Sequence, residues 1–287
     1  MAQRDDRTRR FRGITVVTCT KRPGNIDTIL RNFKRQTVDP KELIVVLNND
    51  ALDIRMYQQR AEAYENVSVF QLSEDTSLGL CLNFAITKAR YPYIAKLDDD
   101  DYYARDYLHE SVMALRENKA DVVGKHAHYL YLTGKKLLVI RFPKGEHRFV
   151  KSVSGATLVA RKAVFNKVRF RDLWVGEDDR FCEDCRRKGF RIYSTSRYNF
   201  VGIRQKDTDT HTWKITARRL LSLPSVEIVA RTKNYRRLVR WPEPDQAEQV
   251  DASPGNEAPS GQGEVDVRPG NELLSGQDER EVTDKYE

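Results

Sequence analysis

The sequence predicts an α/β protein with a mainly parallel central sheet, and three observations carry that expectation. Short apolar runs rich in β-branched residues recur through the first hundred residues, at 14–19, 43–47, 67–71 and 93–97, each of a length suited to a buried strand. Segments with apolar residues at helical spacing lie between several of them. The two kinds of segment alternate along the chain, which implies a mainly parallel sheet with helices on its faces.

Taken in order, residues 14–19 (ITVVTC) form the first strand. Asn25 then stands where a helix cap is needed, before Ile26, Ile29, Leu30 and Phe33 at helical spacing. Residues 43–47 (LIVVL) make a second strand and 67–71 a third; Leu78, Leu82, Ala85, Ile86 and Ala89 mark the next helix. The fourth strand, 93–97 (YIAKL), runs into four consecutive aspartates, Asp98, Asp99, Asp100 and Asp101. No GxGxxG follows the first strand, which argues against a dinucleotide-binding dehydrogenase. Leu108, Val112 and Leu115 indicate a further helix, and Val122 opens a more mixed second half with strand-like pieces at 137–142 and 156–160. Residues 174–179 (WVGEDD) open a helix that ends in Arg186-Arg187-Lys188-Gly189. Acid at the start, base at the end and a closing glycine suit the helix dipole and its C-cap. Residues 190–194 return as a strand.

Composition changes abruptly after residue 242. From 243 to 287 there are 13 acidic and 3 basic residues, a net of −10; with +8 on the whole chain, residues 1–242 carry +18. Within this tail, 250–264 (VDASPGNEAPSGQGE) recurs as 265–279 (VDVRPGNELLSGQDE), a tandem repeat of 15 residues. So polar and glycine-rich a stretch buries too little apolar surface to order itself, and it is expected to be a disordered, solvating tail. The expected organisation is a basic extension at 1–12, a folded domain at 13–241 and the tail at 242–287. The domain divides into a strand-and-helix half that ends at the aspartates (13–101), a more mixed half (102–213) and a basic C-terminal segment (214–241).

The 287 residues, 39% of them hydrophobic, suit a soluble globular protein, and no apolar run approaches the ~18 residues that span a bilayer. Residues 1–12 are charged and lack the apolar centre of a secretory signal, so a cytoplasmic location is expected, open to peripheral contact at the inner face of the membrane. Cys19 and Cys81 sit in apolar surroundings and read as core residues. Cys182 and Cys185 form a lone CxxC inside a helical segment, without the further ligands a zinc site requires. The basic body suits nucleotides, polyanions or an anionic surface, but no nucleic-acid-binding motif is present and nucleic acid is not an expected partner.

Four adjacent carboxylates repel and raise one another's affinity for protons, which favours either a cation among them or a solvated turn capping the next helix. Divalent Mg²⁺ or Mn²⁺ takes oxygen ligands and bridges carboxylates to phosphates. A second acidic set, Glu177-Asp178-Asp179, stands at a helix start downstream. One set to hold a metal and another to act as base is what substitution at a sugar–diphosphate bond requires. Ser154-Gly155-Ala156 suits either a sugar pocket or a tight turn. His126 and His128 read as packed residues. The stretch 214–240 alternates basic and apolar residues, as in a membrane-surface segment or, more simply, helices covering the sheet.

Four segments, ITVVTCTKRP, ELIVVLNND, LGLCLNFAITKARYPYIAKLDDDDYY and VGEDDRFCEDCRRKGFRIYS, together resemble a family 2 glycosyltransferase of the GT-A fold. The resemblance covers about 13–204 and has no counterpart for the tail. It implies an inverting enzyme of hexosyl or N-acetylhexosaminyl type that uses nucleotide-diphosphate sugars with Mn²⁺ or Mg²⁺. It places Asp98, Asp99 and Asp100 on the family's DxD motif, with Asp98 at the ribose or metal, Asp100 on the metal, and Asp99 or Asp101 in support. Asp178 matches the catalytic base, with Glu177 beside it, and Thr18, Lys21 and Arg22 fall where the nucleotide is held. Many members carry paired aspartates after the second strand; here stands Leu47-Asn48-Asn49-Asp50. Asn48 still offers a donor and an acceptor to uracil, so UDP is expected, with TDP and GDP as alternatives. His211 is a candidate for the metal shell or the diphosphate, and Arg204 for a phosphate clamp. The implied acceptor is a glycan, polymer or other hydroxyl. The rival readings are a nucleotidyltransferase on a similar scaffold and a non-catalytic glycan- or polyanion-binding protein.

Overall fold

The alternation read from the sequence is present in the first hundred residues. β1 (Ile14–Thr20), α1 (Ile26–Arg35), β2 (Lys41–Leu47), α2 (Ile54–Ala61), β3 (Val67–Gln71), α3 (Leu78–Lys88) and β4 (Tyr93–Lys96) follow one another. The computed structural model describes residues 11–207 and 213–241, all inside the compact unit Met1–Trp241; the repeat tail and His211 lie outside the described residues. β1 pairs in parallel with β2 on one side and β4 on the other, and β2 with β3. Alternate residues of these strands feed two cores. Ile14, Val16, Leu43 and Val45 pack with α1, while Val17, Ile44 and Val46 pack with α3. Burial on both faces explains why the strands read as continuous apolar runs rather than alternating ones.

The chain continues as β5 (Tyr102–Tyr103), α4 (Tyr107–Glu117), β6 (Val122–Gly124), β7 (His128–Leu132), β8 (Leu137–Arg141), β9 (Arg148–Phe149), β10 (Val159–Arg161), α5 (Glu177–Arg187), β11 (Ile192–Ser194), β12 (Phe200–Arg204), α6 (Ala217–Leu221), β13 (Val226–Arg231) and α7 (Tyr235–Leu238). The main sheet runs β3-β2-β1-β4-β10-β6-β11-β9, with β10 antiparallel to both neighbours; a second sheet runs β13-β8-β7-β12-β5. Strand order reverses between β1 and β4. In open α/β sheets that reversal opens a crevice at the carboxyl ends of the strands.

Three expectations are revised. The aspartates do not cap the next helix: they lead into β5, and α4 begins later, after Asp106. The segment 156–160 is only half strand, because Thr157 bonds back to Ser154 O through N–H (2.8 Å) and Oγ1 (2.7 Å) and closes a short 3₁₀ turn before β10. Helix α2 was not expected. It buries only Tyr57 and Ala61, too thin a stripe to show as periodicity, and Asp53 caps it by accepting from Arg55 N–H (3.0 Å).

The basic segment 214–240 forms α6, β13 and α7, and Leu220 is buried against Leu130, Leu132 and Val139. Helix α6 thus packs on the second sheet, while β13 extends that sheet by pairing antiparallel with β8. Among the described residues no helix is long and apolar enough to cross a membrane.

Candidate active site

The crevice between β1 and β4 is a cleft of about 300 Å³. Residues following three strand ends reach it: Thr20, Lys21 and Arg22 from β1, Asn48 from β2, and all four aspartates from β4. Gly155, Asp178 and Arg204 close it from the second half of the domain. The two acidic sets and the basic residues that the sequence assigns to one reaction therefore line one space.

Four chemically identical side chains occupy four different environments. Asp98 Oδ1 accepts from Lys96 Nζ at 2.5 Å, and its backbone N–H donates to Tyr103 Oη (2.8 Å), which in turn donates to Ala156 O (2.6 Å). Asp99 is buried and saturated: Thr20 Oγ1 (2.5 Å) and Asn25 Nδ2 (3.0 Å) bind one oxygen and Arg22 Nη1 (2.5 Å) the other. Asp101 Oδ1 accepts from Ile203 N–H (2.8 Å) and so ties the cluster to β12. Among the described residues Asp100 has one ion-pair partner, Arg22 Nη1 at 2.7 Å. Burial, then the neighbouring Asp99, raise its carboxyl to about 6 despite the opposing Arg22. Burial and the charges of Asp100 and Asp98 push Asp101 well above the usual carboxylate range.

Lys96 joins the two acidic sets. Burial alone would weaken its hold on a proton, but Asp98, Glu177 and Asp178 reverse that, and its affinity for the proton ends above that of a free lysine. A lysine inside an otherwise apolar strand is an ionisable group that burial tolerates only when paired. That was the one sequence signal available for its role. Opposite it, α5 begins with Glu177 and Asp178, where the helix dipole favours negative charge. Asp178 Oδ1 accepts from Asp179 N–H (2.9 Å). Its other oxygen lies in the lap of Gly155: a Cβ built there would stand 1.9 Å from Asp178 Oδ2 and 2.7 Å from its Cβ. Only a residue without a side chain allows this approach.

Glu177 is 4% exposed. Burial raises its carboxyl to about 7 from an ordinary 4.5; Lys96 opposes the shift and Asp178 adds to it. The folded state thus keeps a proton that the unfolded chain has lost between about pH 4.5 and pH 7, so stability falls as pH rises through that window. The full shift corresponds to at most about 3 kcal/mol. Replacing Glu177 by glutamine is expected to flatten this part of the stability profile, measured as the urea midpoint at pH 5 and pH 8. An unchanged slope would show that Glu177 is not the group responsible.

The other expected residues divide. Lys21, Arg22, Asn48 and Arg204 line the cleft. Thr18 does not: the two-residue alternation of β1 turns it toward α1 with Val16, and it is 1% exposed. Arg204 Nη2 is committed to Trp213 O (2.8 Å) and Ile215 O (3.0 Å). His128 is buried, its affinity for a proton pushed down to about 3 by burial and Arg141, and both His126 and His128 bond to backbone carbonyls. Cys182 and Cys185 are free thiols buried on the core side of α5, and burial raises Cys182 to about 12. Ser154, Gly155 and Ala156, read as a sugar pocket or a tight turn, line the cleft. Thr20, Asn25, Lys96, Trp174 and Trp213 escaped sequence reasoning in these roles, and apart from the lysine nothing in their local sequence marks them.

A family model described as glycosyl transferase family 2 matches residues 14–174. The chain is 28% identical over 151 residues to the O-antigen biosynthesis glycosyltransferase WbnJ of Escherichia coli, covering 50% of this chain and 59% of WbnJ; it therefore aligns with less than two thirds of that relative. TarS 1–349 of S. aureus superposes with a TM-score of 0.55 at 19% identity, over 67% of this chain and 60% of TarS. The mannosyltransferase PcManGT of Pyrobaculum calidifontis, solved with GDP-Man and Mn²⁺, gives 0.53 at 17% identity over 70% and 58%. TarS 1–349 with UDP-GlcNAc gives 0.53 at 17% over 68% and 59%. These likenesses establish the α/β fold as GT-A-like.

Proposed function

The chain belongs to glycosyl transferase family 2, and from that membership we propose a metal-dependent, inverting transfer of a sugar from a nucleotide-diphosphate sugar, in the first instance a UDP-sugar, to the hydroxyl of a glycan or polymer acceptor. The observation that carries the proposal is the meeting of Asp100 and Asp178, one from each acidic set, on a single cleft at the strand-order reversal. Asp178 takes the proton from the acceptor hydroxyl as it attacks the anomeric carbon from the side away from the diphosphate. Lys96, buried between the two sets, keeps negative charge supportable at both. Asn48, 6% exposed at the cleft, presents its amide to the edge of the base, while Lys21 and the uncommitted donors of Arg204 face the phosphates.

The residues present suit a hard divalent cation. Their donors are carboxylate oxygens: Arg22 holds Asp100 through Oδ2 and Lys96 holds Asp98 through Oδ1, which leaves the second oxygen of each for an ion. Among the described residues no three Asp, Glu, His or Cys side chains form a ready-made shell. Asp100 and Asp98 would therefore hold the ion, with the remaining positions left to phosphate oxygens, the arrangement Mg²⁺ commonly adopts. Bound there, it would neutralise the charge that develops on the leaving diphosphate. That PcManGT was solved with GDP-Man and Mn²⁺ and TarS with UDP-GlcNAc supports this choice of donor class and ion.

A thermal-shift series of nucleotide sugars, with and without Mn²⁺, tests the proposal, because a ligand that binds only the folded state raises its stability by mass action. At least one nucleotide sugar is expected to stabilise the chain only when Mn²⁺ is present. Replacing Asp100 by asparagine should remove most of that dependence. A shift indifferent to Mn²⁺ would end the metal assignment. Release of pyrophosphate instead of nucleoside diphosphate would end the glycosyltransferase assignment in favour of nucleotidyl transfer.

A further inference from the structure

A half-exposed tryptophan stands at the cleft. Trp174 is 48% exposed and its neighbour Val175 52%, yet Trp174 lines the same cavity as Asp178 and the aspartates. No ring or cation packs on its indole among the described residues. Trp213, the other cleft tryptophan, differs: guanidinium carbons of Arg141 and Arg204 lie 4.6 and 5.4 Å from its ring centroid. Among the described residues, the face of Trp174 is thus an uncommitted aromatic surface at the site.

Its position is built. Gly79, in the first turn of α3, donates its N–H to Leu173 O at 3.1 Å. A Cβ at Gly79 would stand 1.9 Å from Arg171 O, so the chain before Trp174 lies directly on the helix. From the other side, Arg171 holds Asp184 of α5 with two bonds, 2.9 and 2.7 Å. The segment that presents Trp174 is therefore clamped between α3 and α5, the helix that carries Asp178.

We propose that Trp174 is the stacking platform for the acceptor, and that the acceptor is the terminal pyranose ring of a glycan. This rests on the glycosyltransferase reading of the cleft. A pyranose has a C–H face that packs on an indole and an equatorial rim of hydroxyls, one of which must reach a base. An exposed apolar ring beside a carboxylate matches both requirements. The rest of the cleft mixes Leu78, Leu82 and Ile203 with the charges of Lys21, Arg22 and Asp100, and an unbroken alkyl chain laid there would bury those charges away from water at a cost. A serine or threonine side chain offers a hydroxyl but no ring to stack.

Saturation-transfer NMR on the intact chain, with UDP and Mn²⁺ added, tests this with methyl hexopyranosides and Ser/Thr-containing peptides as probes. At least one pyranoside is expected to bind, with saturation strongest on the C–H protons of one ring face. Trp174→Ala should weaken that binding ~10-fold or more, the cost of removing a central aromatic contact. Trp174→Phe should restore most of it, and both variants should keep the parental thermal midpoint. Pyranosides that do not bind, that bind Trp174→Ala as well as the parent, or that are displaced by a peptide held through Trp174 would each overturn the platform. Failure of the broader reading looks different: the chain would release no nucleoside diphosphate from any nucleotide sugar, while Trp174-dependent pyranoside binding persisted.

Discussion

Asp178→Asn is expected to lower the turnover number for sugar transfer by ~10²–10⁴-fold, the usual contribution of a positioned general base, and to leave donor affinity close to parental. The amide is nearly isosteric with the carboxylate, and its oxygen can still accept from Asp179 N–H, the bond now made at 2.9 Å. What it cannot do is take a proton from a hydroxyl. Lys96 loses one of its carboxylate neighbours but keeps Asp98 at 2.5 Å, so the strand end should hold its shape. Steady-state transfer with a saturating donor, beside calorimetric titration of that donor, separates the two effects. Parental turnover in the variant would remove Asp178 from the role of base. A matching loss in donor affinity would make it a binding residue instead.

A second large effect is expected at a residue with no reactive atoms. Gly155→Ala should reduce turnover by about 10²-fold, because a displacement of about 1 Å at a reacting group can cost that much. The new methyl group would stand 1.9 Å from Oδ2, 2.5 Å from Cγ and 2.7 Å from Cβ of Asp178. Rotating the carboxylate relieves the first contact but not the last, so the side chain must shift as a whole. Overpacking of this kind typically costs about 1–3 kcal/mol, and a lowered thermal midpoint should accompany the kinetic change. Nucleotide binding should survive, since Arg22, Asn48 and Asp100 approach the cleft from other strands. The same loss of turnover with no loss of midpoint would point to a rotamer change alone. Parental turnover would contradict the close packing of Gly155 on the base.

Strands packed on both faces were among the most legible elements. β1, β2 and β4 read as buried strands because residues such as Val16 and Val17 are packed on opposite faces, which leaves few charged positions, Lys96 among them, to interrupt the runs. α5 was legible for a different reason: its charges, Glu177 at one end and Arg187 at the other, follow the helix dipole. β5, β6 and β9 are two or three residues long, too short for any period to register, whereas β11 falls inside the strand read at 190–194. Asn25 shows how a correct local reading can miss a role. It does precede α1, but its side chain makes no capping bond and donates instead to Asp99, 74 positions away.

The alternation of strand and helix, the end of β4 at the aspartates and the second acidic set at the start of α5 were all determined by sequence alone, because each depends on residues near one another in the chain. Tertiary structure decided how four identical aspartates differ. Thr20, Arg22 and Asn25 saturate Asp99, Lys96 holds Asp98, Ile203 holds Asp101, and Asp100 faces the cleft with the least support. It also seated Asp178 against Gly155 and left Trp174 open beside it. A carboxylate acquires its character from burial and from the charges around it, and those neighbours arrive from distant parts of the chain only when it folds.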